Sequence, residues 1–239
     1  MLTQWRDSAI EVIPAVDVLG DEAVRLHEGD YDRVVARAPD PAELAARFVA
    51  AGATRIHLVD LDGARAGTVR PALVRRVAAA AAGVPLQASG GVRSPDDAHA
   101  LLDAGADRVV VGTAAFPDPV PWADALGERL VVALDVRDGE VRVAGWTAGT
   151  GLQLGDALER CRAAGVARVL CTAIARDGTL SGPDVELTRL VAGSGLRTLA
   201  AGGIRSPGDV ETLAAAGAEA AIVGRALLDA SDGTATLRG

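Results

Sequence analysis

Residues 87–95 read QASGGVRSP, and residues 199–207 read LAAGGIRSP. Each segment ends an apolar run with a Gly-Gly pair and continues into Ser-Pro, which is typical of a helix N-cap followed by proline at the first helical position. A strand that leads through glycines into a capped helix is the βα unit of a parallel sheet. The two segments therefore predict two equivalent βα units in one chain.

The same alternation extends along the whole sequence. Short apolar runs lie at 12–18, 55–61, 84–88, 108–111, 130–136, 167–172, 198–201 and 220–223. These runs are continuous, as expected of strands that are covered on both faces. Stretches of helical period lie between them, at 41–51, 70–82, 95–104, 118–126, 153–164, 184–193 and 207–216. We predict an α/β fold, a (β/α)8 TIM barrel formed by residues 1–239 as one domain, with a doubly wound open sheet as the alternative.

Other segments recur at nearly the same spacing. Gly112 and Gly224 are separated by the same distance in sequence as Gly91 and Gly203. The segment ALDV, which ends at Val136, echoes AVDV earlier in the chain. Recurrence at a constant spacing indicates a repeated architecture, so we predict two half-barrels at about 11–126 and about 129–230.

Composition excludes several classes of protein. The net charge is -8 at pH 7, whereas a nucleic-acid-binding domain is usually basic. The absence of lysine excludes Schiff-base aldolases, pyridoxal-phosphate enzymes and Walker-type phosphate loops, because each needs a lysine amine. Two cysteines without a CxxC pattern and three widely spaced histidines predict a reduced chain without a metal site. No signal peptide or membrane span is evident, and we expect a monomeric cytoplasmic protein.

Asp17 and Asp135 are predicted to end the first and fifth barrel strands. Barrel enzymes place their chemistry at the C-terminal strand ends, and these two strands lie on opposite sides of the barrel mouth. Two facing carboxylates suit general acid–base catalysis if their environments separate their pKa values. The alternative is that each aspartate only caps the loop that follows it.

Glycine-rich corners follow four of the predicted strands. Their residues are Ser89, Gly90 and Gly91, then Gly112 and Thr113, then Gly202 and Gly203, and finally Gly224 and Arg225. Glycine lets backbone N–H groups approach a phosphate, and a helix N-terminus adds a favourable dipole. Two such anion sites on opposite sides would suit a substrate with a phosphate at each end. Alternatively, the glycines only form tight βα corners.

Further candidates lie in loops on the same face. Thr172 could donate a hydrogen bond to a reacting sugar, and Asp177 could orient or assist it. Asp177 could instead form an Asx turn with the glycine that follows. Trp146 could stack on a heterocycle or pack within its own loop. His57 and Cys171 lie within or at the ends of strands and are interpreted as core residues.

Over nearly the whole chain, these motifs together resemble the phosphoribosylformimino-aminoimidazole carboxamide ribotide isomerases of histidine biosynthesis. The resemblance is carried by PAVDV at 14–18, VRL at 24–26, HLVDLDGA at 57–64, SGGVR at 89–93, GTA at 112–114, ALDV at 133–136, GW at 145–146, RDGT at 176–179 and IVGRAL at 222–227. It implies an aldose–ketose isomerase that performs an Amadori rearrangement. The substrate would carry two phosphates, and neither a metal nor a cofactor would be needed.

The resemblance also implies roles for individual residues. Asp17 would be the general base that removes the proton from sugar C2, and Asp135 would be the general acid that helps to open the furanose ring. Thr172 and Asp177 would support them. Arg25 would contact the substrate near the first loop, and the tryptophan of the GW motif would stack on its base.

Two related enzymes and a non-enzyme stay open as alternatives. The cyclase subunit of imidazole glycerol phosphate synthase shares the duplicated barrel, but its first strand usually reads CLD, and AVD with GW fits the isomerase better. A bifunctional isomerase that also acts on phosphoribosylanthranilate in tryptophan biosynthesis usually carries arginine where Ala144 stands, although Ser89 is typical of that group. A barrel with phosphate sites but no turnover would only bind metabolites. The chain departs from the family at Ala173, where an acidic residue is usual, and at 229–239, which is short and polar where the family has a clear eighth helix.

Overall fold

The computed structural model describes residues 2–5, 7–27, 30–38, 40–116, 118–143, 146 and 148–231. The strands in these residues are, in chain order, β1 (Glu11–Leu19), β2 (Glu22–His27), β3 (Asp30–Ala38), β4 (Ile56–Asp60), β5 (Leu86–Ser89), β6 (Arg108–Val111), β7 (Leu130–Arg137), β8 (Glu140–Val143), β9 (Ala148–Gln153), β10 (Arg168–Ala173), β11 (Arg197–Ala201) and β12 (Ala220–Val223). The α-helices are α1 (Pro41–Ala50), α2 (Leu61–Ala66), α3 (Pro71–Ala80), α4 (Pro95–Asp103), α5 (Val120–Leu126), α6 (Leu154–Ala163), α7 (Val185–Ala192), α8 (Pro207–Ala215) and α9 (Arg225–Ser231). Within the described ranges, no helix combines the length and the apolar character needed to cross a membrane.

Eight parallel strands form a closed barrel. Around the barrel they run β1, β4, β5, β6, β7, β10, β11 and β12. The ring closes because β12 pairs in parallel with β1, with Ile222 opposite Ile13, and because β7 pairs with β10. The predicted (β/α)8 barrel is confirmed. The open sheet is wrong, since an open sheet would leave two of these eight strands as unpaired edges.

The continuous apolar runs are explained by two separate hydrophobic layers. Residues that point into the barrel form the inner layer, which comprises Ile13, Ala15, Val110, Val131, Leu170, Leu199, Ala220 and Ile222. Alternate residues such as Val16 and Leu58 point outward and pack with the helices. Because both faces of each barrel strand are buried, the strands lack polar alternation. The predicted bounds of β6 and β12 agree with the structure. For each of the other barrel strands, the predicted and observed ends differ by at most two residues.

Two helices begin as the sequence predicts. The Ser94 hydroxyl accepts a hydrogen bond from the Asp97 N–H (3.2 Å), and the Asp97 carboxylate accepts one from the Ser94 N–H (2.9 Å). This reciprocal arrangement is a capping box. In α8 the Ser206 hydroxyl likewise accepts from the Asp209 N–H at 3.4 Å. Proline occupies the first turn of both helices, as predicted.

Two hairpins interrupt the alternation, and the sequence analysis did not predict them. The strands β2 and β3 follow the first barrel strand, and β8 and β9 follow the fifth. Both hairpins pair with the barrel strand before them, so that β1 continues past Asp17 to Leu19 and β7 continues past Asp135 to Arg137. The expectation that these aspartates end their strands is therefore wrong. They lie where each barrel strand extends into a hairpin.

The eighth barrel strand is followed by the short helix α9, which spans Arg225–Ser231. The segment 229–239 was expected to lack a clear eighth helix. Its first part belongs to α9, and its remainder, 232–239, lies outside the described residues.

Candidate active site

A cavity of about 270 Å³ opens at the C-terminal ends of the barrel strands. Every site residue predicted from the sequence lines this cavity, with the exception of Arg25. These residues are Asp17, Ser89, Gly90, Gly91, Gly112, Thr113, Asp135, Trp146, Thr172, Asp177, Gly202, Gly203, Gly224 and Arg225. Arg25 lies in β2, and its side chain is outside the described part of the structure. The barrel thus gathers residues from the whole length of the chain in one place.

The two carboxylates face each other across the cavity. Asp17 lies on β1 and Asp135 on β7, and these strands are four positions apart in either direction around the eight-stranded ring. Both side chains are half-buried and line the cavity. A substrate between them would meet one carboxyl group on each side, which is the arrangement that acid–base catalysis on two atoms requires.

Asp135 is held by two neighbouring side chains. Its carboxyl group accepts hydrogen bonds from the indole N–H of Trp146 and from the hydroxyl of Thr172, which lies opposite it on β10. Burial raises the pKa of Asp135 above its usual range, and the two hydrogen bonds counteract this in part because they favour the carboxylate. A carboxyl group with a raised pKa keeps its proton closer to neutral pH, which suits a general acid. The bond from Trp146 was not among the sequence-based expectations for that residue.

Close packing requires glycine at two of the predicted corners. Gly91 has a φ of +78°, and a Cβ atom there would lie 2.0 Å from the backbone oxygen of Thr68. Gly203 has a φ of +81°, and a Cβ atom there would lie 2.3 Å from the backbone oxygen of Gly182. Packing against protein carbonyl groups accounts for both glycines by itself. A phosphate role for these corners therefore depends on their position at the cavity.

The loop after β10 is tied to the corners after β11 and β12. The Arg225 Nη1 atom donates to the carbonyl of Gly178 at 2.8 Å, and the Gly182 N–H donates to the carbonyl of Gly203 at 2.9 Å. Asp177 lies half-buried in this loop and faces the cavity. Ala173 is buried at the end of β10 and lines a neighbouring surface groove instead of the cavity.

Asp60 is a buried carboxylate that the sequence analysis did not single out. Its carboxylate accepts one hydrogen bond from Nε of Arg70 at 2.7 Å and one from Nη2 of Arg70 at 2.6 Å. It accepts a third from the Gly63 N–H at 2.8 Å. Arg70 also donates to the carbonyl of Gly20 at 2.9 Å. Asp60 lies within the HLVDLDGA motif, so the motif was the available signal.

Tyr31 and His57 also line the cavity. The Tyr31 hydroxyl donates to the carbonyl of Leu61 at 3.0 Å, and the Arg65 guanidinium lies 5.6 Å from the centre of its ring. The side chain of His57 is buried, as expected of a core residue, and its Nδ1 atom is 3.0 Å from the Gln87 amide nitrogen. Tyr31 is the only tyrosine in the chain, and it lies on β3 of a hairpin that was not predicted.

The cysteines are free buried thiols. Burial raises the pKa of Cys161 to about 12, and burial also raises the pKa of Cys171. Both side chains are therefore thiols near neutral pH, and the core interpretation of Cys171 is confirmed. In the described ranges, no three His, Cys, Asp or Glu side chains are grouped as metal ligands.

Comparisons with known proteins place the chain in a family. The family model described as histidine biosynthesis protein matches residues 11–232. A relative from Sorangium cellulosum is 46% identical over 228 residues, covering 92% of this chain and 94% of the relative. A relative from Thermomicrobium roseum is 45% identical over 224 residues, covering 91% of this chain and 92% of the relative. Both relatives are named 1-(5-phosphoribosyl)-5-((5-phosphoribosylamino)methylideneamino) imidazole-4-carboxamide isomerase. The chain belongs to the histidine biosynthesis protein family.

Proposed function

We propose that this chain is an aldose–ketose isomerase of histidine biosynthesis. Its substrate is the bis-phosphorylated phosphoribosylformimino-aminoimidazole carboxamide ribotide, which it converts to the aminoketose by an Amadori rearrangement. The relatives share this activity by name across nearly the full length of both chains. The observation that carries the proposal is the pair of facing aspartates, Asp17 and Asp135, in one cavity, with the pKa of Asp135 raised by burial.

In the proposed reaction, Asp135 donates its proton to the ring oxygen as the bond from C1 to that oxygen breaks, and the nitrogen on C1 forms a C=N bond. Asp17 then removes the proton from C2, so that a C1–C2 double bond forms and the C=N electrons return to nitrogen. Loss of the C2 hydroxyl proton and protonation of C1 give the aminoketose. Bonds and protons balance without an oxidant or reductant, so the chemistry asks only for a positioned acid and base.

Thr172 and Asp177 support this pair in the proposed site. The hydroxyl of Thr172 orients the Asp135 carboxyl group through its hydrogen bond. Asp177 lies on the loop that is tied to the corners after β11 and β12, where it can orient the sugar. Arg25 and Trp146 are proposed to contact the substrate, with the indole of Trp146 able to stack on the base once it leaves Asp135.

The glycine corners are the proposed phosphate sites. One consists of Ser89, Gly90 and Gly91 with Gly112 and Thr113. The other consists of Gly202 and Gly203 with Gly224 and Arg225. Support comes from their positions on opposite sides of the cavity, shortly before helices or helical turns whose N-terminal dipole favours an anion.

Turnover by the purified protein tests the proposal. Wild type is assayed with the histidine-pathway substrate and with phosphoribosylanthranilate, beside Asp17→Asn, Asp135→Asn and the matched control Asp138→Asn. Asp138 lies in the exposed turn between β7 and β8, outside the cavity, so its variant should retain wild-type turnover. Losing the acid or the base should lower kcat at least about a hundredfold.

Each outcome separates one alternative. Turnover of the histidine-pathway substrate alone, lost in both cavity variants, supports the isomerase with a single substrate. Turnover of phosphoribosylanthranilate as well would assign the bifunctional activity in spite of Ala144, which lies outside the described residues. No turnover of either substrate by wild type would overturn the proposal in favour of a barrel that only binds phosphometabolites.

The state of the protein in the cell is part of the same proposal. We propose that the chain acts as a cytoplasmic monomer, built from half-barrels at about 11–126 and about 129–230 that each supply one phosphate site. The buried free thiols fit a reducing compartment. Sedimentation equilibrium would contradict the monomer if the measured mass were twice 24.2 kDa.

A further inference from the structure

Leu180 has an unusual backbone conformation at the edge of the cavity. Among the described residues, the non-glycine residues with a left-handed backbone are Ala82, Asp138, Trp146 and Leu180. Ala82 and Asp138 lie in exposed turns, whereas Trp146 and Leu180 line the cavity. Leu180 has a φ of +55°, which a branched side chain disfavours. Strained residues of this kind persist where the surrounding structure fixes them, often at functional sites.

The loop around Leu180 is fixed on both sides. Before it, the carbonyl of Gly178 accepts from Arg225 at 2.8 Å, and the Thr179 hydroxyl donates to the carbonyl of Arg176 at 2.7 Å. After it, the Gly182 N–H donates to the carbonyl of Gly203 at 2.9 Å. The bonds from Arg225 and to Gly203 join the loop to the corners after β12 and β11, and the Thr179 bond is internal to the loop. Leu180 is therefore held beside the proposed phosphate site on that side of the cavity.

A glycine at this position would adopt the same backbone without strain. The loop already contains glycine at 178 and 182, both with positive φ. Leucine offers no hydrogen-bonding group, so whatever it adds depends on its shape and its apolar surface. Its side chain is half-buried and faces the cavity. The part of the leucine side chain that is not covered by protein therefore presents an apolar surface to the cavity, where an occupant can contact it.

We infer that Leu180 is a substrate-contacting, specificity-determining residue. It forms an apolar wall over the phosphoribosyl group held at the corners after β11 and β12, and it excludes water from their N–H groups. Excluding water strengthens the electrostatic contacts made to a phosphate. This inference rests on the proposed isomerase function and adds a contact that the glycine corners cannot supply.

Two substitutions separate the side chain from the backbone strain. Leu180→Ala removes the wall and keeps the left-handed strain, whereas Leu180→Gly removes both. Ala82→Gly is the matched control, because it relieves the same kind of strain in an exposed turn outside the cavity. For each variant, kcat and KM for the histidine-pathway substrate are measured, together with Tm in the absence and in the presence of inorganic phosphate.

Both Leu180 variants should lose about tenfold in kcat/KM, mainly through KM, because an apolar contact to the bound substrate is lost. Leu180→Gly should have a higher Tm than Leu180→Ala, so that activity and stability separate. The rise in Tm caused by phosphate should be smaller in both than in Ala82→Gly. Values of kcat/KM within about twofold of wild type would overturn the inference.

The proposed function and this inference can fail separately. If wild type does not turn over the substrate, the proposed function fails. In that case, only the rise in Tm caused by phosphate tests whether Leu180 covers the phosphate site. An equal rise in wild type, Leu180→Gly and Ala82→Gly would show that Leu180 does not cover the phosphate site, and a smaller rise in Leu180→Gly would support the wall.

Discussion

Asp60 joins three segments of the barrel mouth, and its replacement by alanine tests how far the mouth depends on that junction. The carboxylate receives two hydrogen bonds from Arg70, at 2.6 and 2.7 Å, and caps α2 by accepting from the Gly63 N–H at 2.8 Å. Arg70 in turn reaches the carbonyl of Gly20, where the first hairpin begins. The Asp60→Ala variant breaks the ion pair and the cap together.

The expected loss follows from these contacts. Losing an N-cap costs about 1 kcal/mol. The Asp60 side chain is only 7% exposed, but that of Arg70 is 31% exposed and keeps its contacts to Gly20 and, at 3.2 Å, to Asp62. Because Arg70 can still be solvated, the pair contributes about 2 kcal/mol, less than a fully buried pair would. A total of about 3 kcal/mol corresponds to a fall in Tm of about 6–12 °C for a domain of this size.

The fall in Tm is measured by thermal unfolding, monitored by circular dichroism. Asp60→Asn is the intermediate case, because the amide oxygen can still cap α2 while the charge is lost, so its Tm should lie between those of wild type and Asp60→Ala. Glu22→Gln is the control, since it weakens the exposed ion pair with Arg37 and should cost less than about 0.5 kcal/mol. If Asp60→Ala lowers Tm no more than Glu22→Gln does, the junction does not stabilise the mouth and the reasoning is refuted.

Two further predictions concern buried charges. Burial raises the pKa of Asp135 in the folded protein above its ordinary pKa in the unfolded chain. The protonated carboxyl group therefore stabilises the fold at pH values below the ordinary pKa, and this contribution is lost as pH rises through the raised pKa. Asp135→Asn should therefore be at least as stable as wild type at pH 8, with the difference shrinking toward pH 4; lower stability at pH 8, measured by urea unfolding, would contradict this. The side chain of Arg168 is 2% exposed and donates two hydrogen bonds, at 2.6 and 2.8 Å, to the carboxylate of Glu219. The side chain of Glu219 is 35% exposed. Glu219→Ala should cost about 3 kcal/mol because it strands a buried cation, whereas Arg168→Met should cost about 1 kcal/mol because the remaining carboxylate reaches water; equal urea midpoints for the two variants would refute this asymmetry.

The barrel could be predicted because its strands obey one simple rule. Each strand is buried on both faces, so a short continuous apolar run between capped helices was a sufficient signal. The strands of the hairpins β2–β3 and β8–β9 do not follow that rule. They lie outside the ring and pair antiparallel with the extensions of β1 and β7, and their sequences mix apolar and charged residues. A search for continuous apolar runs does not detect strands of this kind.

Apart from Trp146, which lies between β8 and β9, the predicted site residues that the structure brings together lie on a barrel strand or shortly after one, because the fold fixes where a strand end points. Leu180 and Tyr31 lie farther along the chain from the barrel strands that precede them, Leu180 in a loop and Tyr31 on β3. Their position at the cavity depends on the path of the loop, for example on the sign of φ at Leu180. A sequence does not show that a leucine takes a conformation usually left to glycine, so such residues emerge only from the structure.

The chemical difference between the two aspartates arises from their neighbours. The strand segments AVDV and ALDV are nearly the same, so the sequence alone leaves acid and base unassigned. On the adjacent barrel strand, the residue opposite Asp135 is Thr172, whereas the residue opposite Asp17 is Val59. A threonine hydroxyl can donate to a carboxyl group and a valine side chain cannot. The Thr172 hydroxyl orients the Asp135 carboxyl group and by itself favours the carboxylate, whereas burial raises the pKa and outweighs this hydrogen bond. The proposed roles of Asp135 as acid and Asp17 as base therefore depend on the burial of Asp135, and a substitution of Thr172, where the two strand pairs differ, should shift the pH dependence of turnover.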